Sequence, residues 1–387
     1  MARHYGMDWL RIGAFALLIL YHVGMVFVPW NYHVSAARTF DWAEIPMFFA
    51  NPWRLSLLFV VSGFASRALW SKSRGLGTFL KDRTIRLLVP LLFGIAVIVP
   101  PQTWVELVTQ HGYAQGFAPF YLGDYFRFAT VAGVVTPAWN HLWFVAYLLA
   151  YTLVLASIAP GVDELQPLFE RVFGGARAIL LPTVYLVAME FLLFRYHPDT
   201  QRLYDDWGAH LLYFPAFLFG FGLAGSRAVM ASFARYWKPC AAVAIACFVT
   251  MAALLAVWPN FSFPSNRIAD LFVFARRLET WTGIAALIGI ADRYWNHDHK
   301  WRPMLTEAVF PFYIIHQTII VVVEYWLLPL RLGAAAEFAI LVGATIAGCW
   351  AFYLIGREVR PLRPLIGLRT RPRIGLKLPA ASPTAIA

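Results

Sequence analysis

Residues 7–22 read MDWLRIGAFALLILYH, and the apolar run they open continues from Trp9 to about Trp30. A helix needs about 20 mostly apolar residues to cross the hydrocarbon core of a bilayer. The run is too long for a signal-peptide core, and no convincing small-residue cleavage site follows it, so a retained first span is expected. It carries Asp8, Arg11 and His22. At about 100° per residue, the steps from Arg11 to His22 make close to three whole turns. Both side chains therefore share a face, about 16 Å apart along the axis. Asp8 and Arg11 are i,i+3 neighbours and can pair. One stripe is expected, from an ion pair at the helix start to an imidazole near the bilayer middle.

Working outward, nine further runs of similar character follow, giving about ten expected spans. They cover roughly 9–29, 47–69, 87–106, 141–160, 178–196, 208–225, 239–258, 269–291, 305–328 and 334–356. Composition agrees: 60% of the 387 residues are hydrophobic and only 14% charged, too few charges for a soluble surface. The aromatic share of 17% suits interfacial belts. The chain reads as an all-α, polytopic integral membrane protein with one domain over 1–356 and a basic, disordered cytoplasmic tail over 357–387.

The net charge of +11 would suggest nucleic acid in a soluble protein. Here it is an orientation signal. With the N-terminus inside, Arg67, Lys72, Arg74, Lys81, Arg83 and Arg86 fall on one cytoplasmic connection. Arg171, Arg177, Arg227, Arg235, Lys238, Arg293, Lys300, Arg302 and the basic tail fall on the others, leaving Arg38, Arg127, Arg195, Arg202, Arg267 and Arg331 outside. The positive-inside rule then puts both termini in the cytoplasm of a bacterial-type inner membrane. Anionic headgroups, not nucleic acid, are the natural partner of this charge.

Ionisable groups inside a span cost several kcal/mol unless paired or wet, which makes them functional candidates. Two readings of the first stripe stay open. Asp8 and Arg11 can simply anchor the helix end while His22 bonds a neighbouring helix. Alternatively, a neutral imidazole with a free nitrogen can take a proton from a sugar hydroxyl as that hydroxyl attacks a thioester. Arg54 lies in the outer part of the second span and either snorkels or meets an anion. Ser62-Gly63 fits close helix packing as well as a site. In KDRTIRLLVP at 81–90, Arg83 and Arg86 stand one turn apart, suited to phosphate or to ordinary anchoring. His141 lies in NHLWF, and His316 in FYIIHQT with Glu307 nine residues earlier. Glu190 and Glu279 are also in or near spans, with no role evident. Cys240, Cys247 and Cys349 sit in apolar runs and read as small buried hydrophobes. No metal site, GxSxG elbow or phosphate-cradling glycine loop is legible.

Taken together, MDWLRIGAFALLILYH at 7–22, LLFVVSGF at 57–64, RTIRLLVP at 83–90, HLWFV at 141–145 and FYIIHQTII at 312–320 resemble the membrane acyltransferase-3 family, in its order and over most of the chain. YHVSAA at 32–37, WRLSLLFVVSGF at 53–64 and HLWF resemble its glucan-modifying branch, which succinylates periplasmic glucans. The resemblance implies about ten helices, a cytoplasmic acyl-CoA donor and an acceptor on the outer face. It implies functional weight on Arg11 and His22, with Asp8, Ser62, Arg83, Arg86, His141 and His316 also matching patterned positions. The extra hydrolase-like domain of some members is not seen, so any acyl relay uses the spans.

On this basis His22 is expected to be the general base or first acyl or proton acceptor. Arg11, oriented by Asp8, steadies the pantetheine end of the donor or an oxyanion. Arg83, Arg86 and Ser62 hold the donor, Arg54, His141 and His316 line the acceptor half, and no metal takes part. The rival class is a proton-coupled exporter of a glycan or metabolite, against which the lack of an internal repeat counts modestly. A non-catalytic assembly subunit is a third.

Overall fold

The structure, a computed structural model, describes residues 3–197 and 199–370. Among them are twelve helices of ten residues or more. These are α1 (Tyr5–Gly24), α2 (Arg54–Trp70), α3 (Leu76–Phe93), α4 (Pro100–Gln110), α5 (Trp143–Ile158) and α6 (Val162–Phe173). They continue with α7 (Arg177–Met189), α8 (Trp207–Leu223), α9 (Arg227–Val257), α10 (Asn266–Tyr294), α11 (Arg302–Leu327) and α12 (Ala334–Glu358). Side-chain caps start several of them: His4 accepts from the Met7 amide, Asp206 from Ala209 and Ser226 from Val229. Short π segments extend α3 through Ile98 and α7 through Phe194. The strands Ala129–Val131 and Val134–Thr136 form an antiparallel hairpin. Its turn takes positive φ at Ala132 and Gly133.

Every expected span falls largely on helix, but among the described residues six helical stretches are long and apolar enough to cross a membrane. They are Tyr5–Gly24, Asn140–Phe173, Arg177–Phe194, Arg227–Val257, Arg302–Leu330 and Ala334–Glu358. The stretch 76–110 makes a seventh if its two parts, bent by 40° at Val99, count as one. Helices α2 and α8 are short, at 17 residues each, and α10 carries Arg276, Arg277 and Glu279. Their apolar character is spent on protein contacts, because a helix buried in a bundle is apolar all round without needing to face lipid.

Helices α2 and α8 cross closely. A Cβ on Gly63 would stand 1.9 Å from the Phe217 carbonyl oxygen, and one on Gly220 would stand 1.9 Å from that of Val60. Only glycine permits this approach, so Gly63 has a packing role. Phe59 of α2 stacks on Tyr213 of α8 with ring centres 4.9 Å apart, and Phe144 of α5 closes on Phe59 at 4.6 Å. Helix α9 lies along α10, and α1 sits between α10 and α11. Glu190, without an evident role in the sequence, forms a buried ion pair with Arg277 that ties the end of α7 to α10. The three cysteines are unpaired and buried.

Helix α12 runs through Glu358, past the boundary drawn at Gly356. The chain then folds back through the short helix Leu362–Leu365 onto α3 and α12. Arg363 is buried there, 3.9 Å from Glu307, and its Nε donates to the Arg369 carbonyl at 2.6 Å. Residues 362–368 are therefore packed, and residues 371–387 of the expected tail lie outside the described residues.

Candidate functional site

Three of the expected residues meet. The Nδ1 of His22 lies 2.8 Å from the Nε2 of His316, and the His141 ring stands edge-on to His316 at 5.1 Å. Hydrogen-bond logic fixes the tautomers. A carbonyl only accepts, so the Nδ1–H of His316 donates to the Tyr313 carbonyl at 2.7 Å. In neutral His316 the Nε2 is then a lone pair, and the Nδ1–H of His22 donates to it. The Nε2 of neutral His22 is left unprotonated. By the same logic the Nε2–H of His141 donates to the Ile314 carbonyl at 3.0 Å, and its Nδ1 is a buried lone pair without a partner. The Tyr313 hydroxyl donates to the His141 carbonyl, so HLWF and FYIIHQT are stitched together at this point.

His22 stands in the last turn of α1, because the helix stops at Gly24 rather than near residue 29. It therefore opens sideways into a cavity of about 530 Å³, shared with His141 and Arg54. The Arg54 guanidinium lies 3.4 Å over the Tyr21 ring, and the Tyr21 hydroxyl accepts from Asn51 at 2.7 Å. Arg276 of α10 donates to the other end of Asn51 at 3.3 Å. Neither arginine has a carboxylate partner among the described residues, and the Nε of each is buried and unpaired. Trp30 lines the cavity and donates to Glu44 at 2.7 Å; burial pushes the Glu44 carboxyl up, against this hydrogen bond.

The same cavity holds a pair that the sequence reading missed. His33 Nδ1 lies 2.5 Å from Glu106 Oε2, and both residues line the wall. His33 sits in a loop without periodicity, although within the quoted YHVSAA. Glu106 ends the third expected span, where a carboxylate was the one available signal. Beside them, Asn140 and Gln317 both donate to Gln102 at 3.1 Å.

A second cavity, of about 200 Å³, gathers Arg11, Ser62, Arg83 and Arg86. Lys72 and Arg369, not singled out in the sequence, also line it, and among the described residues no carboxylate does. Arg83 is buried and donates to Ser66 at 2.8 Å, while its Nε has no partner. Such a wall attracts an anion with several charges.

The stripe expected along α1 is thus divided. Arg11 faces the basic cavity and His22 the histidine cavity. Phe144 lines both, and Phe15, Phe144 and Tyr313 meet edge-on at 5.6 to 6.4 Å as the partition. The Asp8 carboxylate is engaged elsewhere. It bonds Arg3 and Arg302, each at 2.8 Å, and no bond to Arg11 is present among the described residues. Three steps of 100° leave about 60° between Asp8 and Arg11, so one turns to α11 while the other faces the cavity. Among the described residues, no group of three or more His, Cys, Asp or Glu side chains is placed to hold a metal ion.

A basic cavity and a histidine-lined cavity, parted by aromatic rings in a bundle with several apolar spans, form the site, and comparisons with known proteins place the chain. Glucans biosynthesis protein C from Escherichia coli K12 is 28% identical over 159 residues, 40% of this chain and 39% of that protein. The same protein from Escherichia coli O1:K1 matches equally. The chain thus aligns with about two fifths of these relatives' length. No solved structure matches. The model of the acyltransferase domain, in contrast, matches residues 4–354, nearly the whole chain, and this multi-pass membrane chain therefore belongs to the acyltransferase-3 family.

Proposed function

We propose that the protein is an inner-membrane O-acyltransferase that moves an acyl group from cytoplasmic acyl-CoA to a hydroxyl of a periplasmic or cell-surface glycan. In this reading about ten helices span or line the membrane with both termini in the cytoplasm. The observation that carries it is the pair of cavities meeting at Phe15, Phe144 and Tyr313, with cations on one side and His22 on the other. Arg83, Arg86, Lys72 and Arg369 hold the phosphates of the donor, with Ser62 on the wall. Arg11 steadies the inner end of its pantetheine arm. The thioester passes the aromatic partition and reaches His22.

The chemistry then follows from the His22 tautomer. Its Nε2 takes the proton of the acceptor hydroxyl as that oxygen attacks the thioester carbonyl carbon. The C–S bond breaks, and the same proton passes to the departing thiolate. Because the imidazolium keeps its Nδ1–H on His316, the ring stays in place through both transfers. His141 and Arg54 line the acceptor side. Arg54, on the cavity wall and unpaired with a carboxylate, favours an acyl group that ends in its own carboxylate, succinyl over acetyl. The relatives' name, glucans biosynthesis protein C, supports a glucan as acceptor.

Mass spectrometry of envelope glycans from strains with the wild type, with His22→Ala and without the protein tests this. An acyl mass confined to the wild type is expected. Identical glycans in all three overturn the reading and favour a transporter.

A further inference from the structure

The α3–α4 span breaks at Val99, where Pro100 and Pro101 follow. Neither proline has an amide N–H to give to the preceding turn. Side chains take up carbonyls left at the break. Tyr125 donates to Ile95 at 2.7 Å, Tyr121 to Ala96 at 3.1 Å, and Thr318 of α11 to Ile98 at 2.7 Å. Irregular backbone at membrane depth persists where neighbouring protein satisfies it in this way. Just past the break, the first turn of α4 carries Gln102, which is fully buried. Gln102 is absent from the walls of both cavities.

The break fixes the direction of the Gln102 amide. A carbonyl only accepts, so the one Thr318 hydroxyl proton goes to Ile98, and Thr318 then accepts from Gln102 Nε2 at 2.6 Å. A flipped amide would set oxygen against oxygen there. Gln102 Oε1 is therefore turned the other way, where it accepts from Asn140 Nδ2 and Gln317 Nε2, each at 3.1 Å. Asn140 precedes His141 and Gln317 follows His316. One oxygen of α4 thus holds both segments that carry these histidines. Asn140 also needs holding: its φ of 41° is left-handed, a conformation uncommon outside glycine. We infer that Gln102 is a positioning residue of the transfer reaction, which sets His141 and His316 through Asn140 and Gln317, and through His316 the Nε2 of His22. The broken span is then part of the site, since it supplies both the short helix and the carbonyl that orients the amide. The inference rests on the acyltransferase reading of His22.

The test uses the full chain in lipid nanodiscs, with acetyl-CoA or succinyl-CoA and a glucan oligosaccharide. Gln102→Leu is expected to lower kcat about tenfold or more, the effect of leaving buried amides without an acceptor. Donor KM and thermal stabilisation by CoA stay at wild-type values. Gln102→Glu keeps an oxygen for both amides and is expected to recover much of the loss. In a His316→Leu background, Gln102→Leu is expected to change kcat less than twofold, because its route to His22 is already cut, while its effect on Tm persists. Where Gln102→Leu does not fold, Thr318→Val, which frees the amide to turn, serves instead with the same pattern. A lower Tm with kcat within twofold of the wild type overturns the positioning role and leaves the acyltransferase intact. So does a kcat loss that multiplies in full in the His316→Leu background. Absence of thiol release by the wild type from either donor overturns the acyltransferase reading itself.

Discussion

Replacing His316 probes the tautomer argument directly. His316 is fully buried, and its Nε2 is the acceptor for His22 Nδ1–H at 2.8 Å. His316→Leu keeps the volume roughly constant and removes that acceptor. The Nδ1–H of His22 then either stays unpaired or the ring flips, so that Nε2 no longer presents a lone pair to the cavity. An unsatisfied buried donor costs about 1–3 kcal/mol, which is about 5- to 150-fold in the population of the competent state. The expected loss therefore appears in kcat at saturating acyl-CoA, with donor KM unchanged, since the basic cavity lies beyond the aromatic partition. His316→Gln places an amide oxygen near the former Nε2 and should recover much of the loss. Steady-state release of thiol from acyl-CoA reads the effect. A folded His316→Leu variant with kcat within about twofold of the wild type would show that His316 does not hold the His22 tautomer.

Other expectations follow from the same geometry. Arg83→Met and Arg86→Met should each weaken CoA binding about tenfold or more in a thermal-shift titration, through lost charge-assisted bonds, and dephospho-CoA should discriminate less in the variants than in the wild type. Gly63→Ala should destabilise the bundle by about 1–3 kcal/mol, read as a lower Tm in detergent, since its Cβ collides with backbone that cannot retreat. Glu190→Gln should cost about 3–5 kcal/mol because Arg277 is left charged and buried, and the double variant Glu190→Leu/Arg277→Met should be more stable than either single one.

Local periodicity made part of the site legible. Eleven steps along α1 do put Arg11 and His22 near one face, and each opens into a polar cavity. Periodicity says nothing of what stands opposite, so the partition by Phe15, Phe144 and Tyr313 was beyond reach. The i,i+3 spacing of Asp8 and Arg11 allowed a pair, but Arg302, nearly 300 residues later in sequence, competes for the carboxylate from a neighbouring helix. His22 and His316 were both flagged as intramembrane imidazoles, whereas their contact depends on the packing of α1 against α11. His33 and Arg276 went unflagged for different reasons. One sits in an irregular loop, and the other lies inside the expected span 269–291, where only Glu279 was noted. The apolar count likewise cannot separate a helix that faces lipid from one, such as α8, that faces other helices.

The central claim is that His22 carries a proton, or an acyl group, between a CoA thioester and a sugar hydroxyl. Its most direct test is turnover by the purified protein in nanodiscs, given succinyl-CoA or acetyl-CoA and a glucan oligosaccharide, with thiol and ester measured together. Equimolar thiol and ester are expected from the wild type, and neither above background from His22→Ala, which still binds CoA. Equal turnover by both proteins would contradict it.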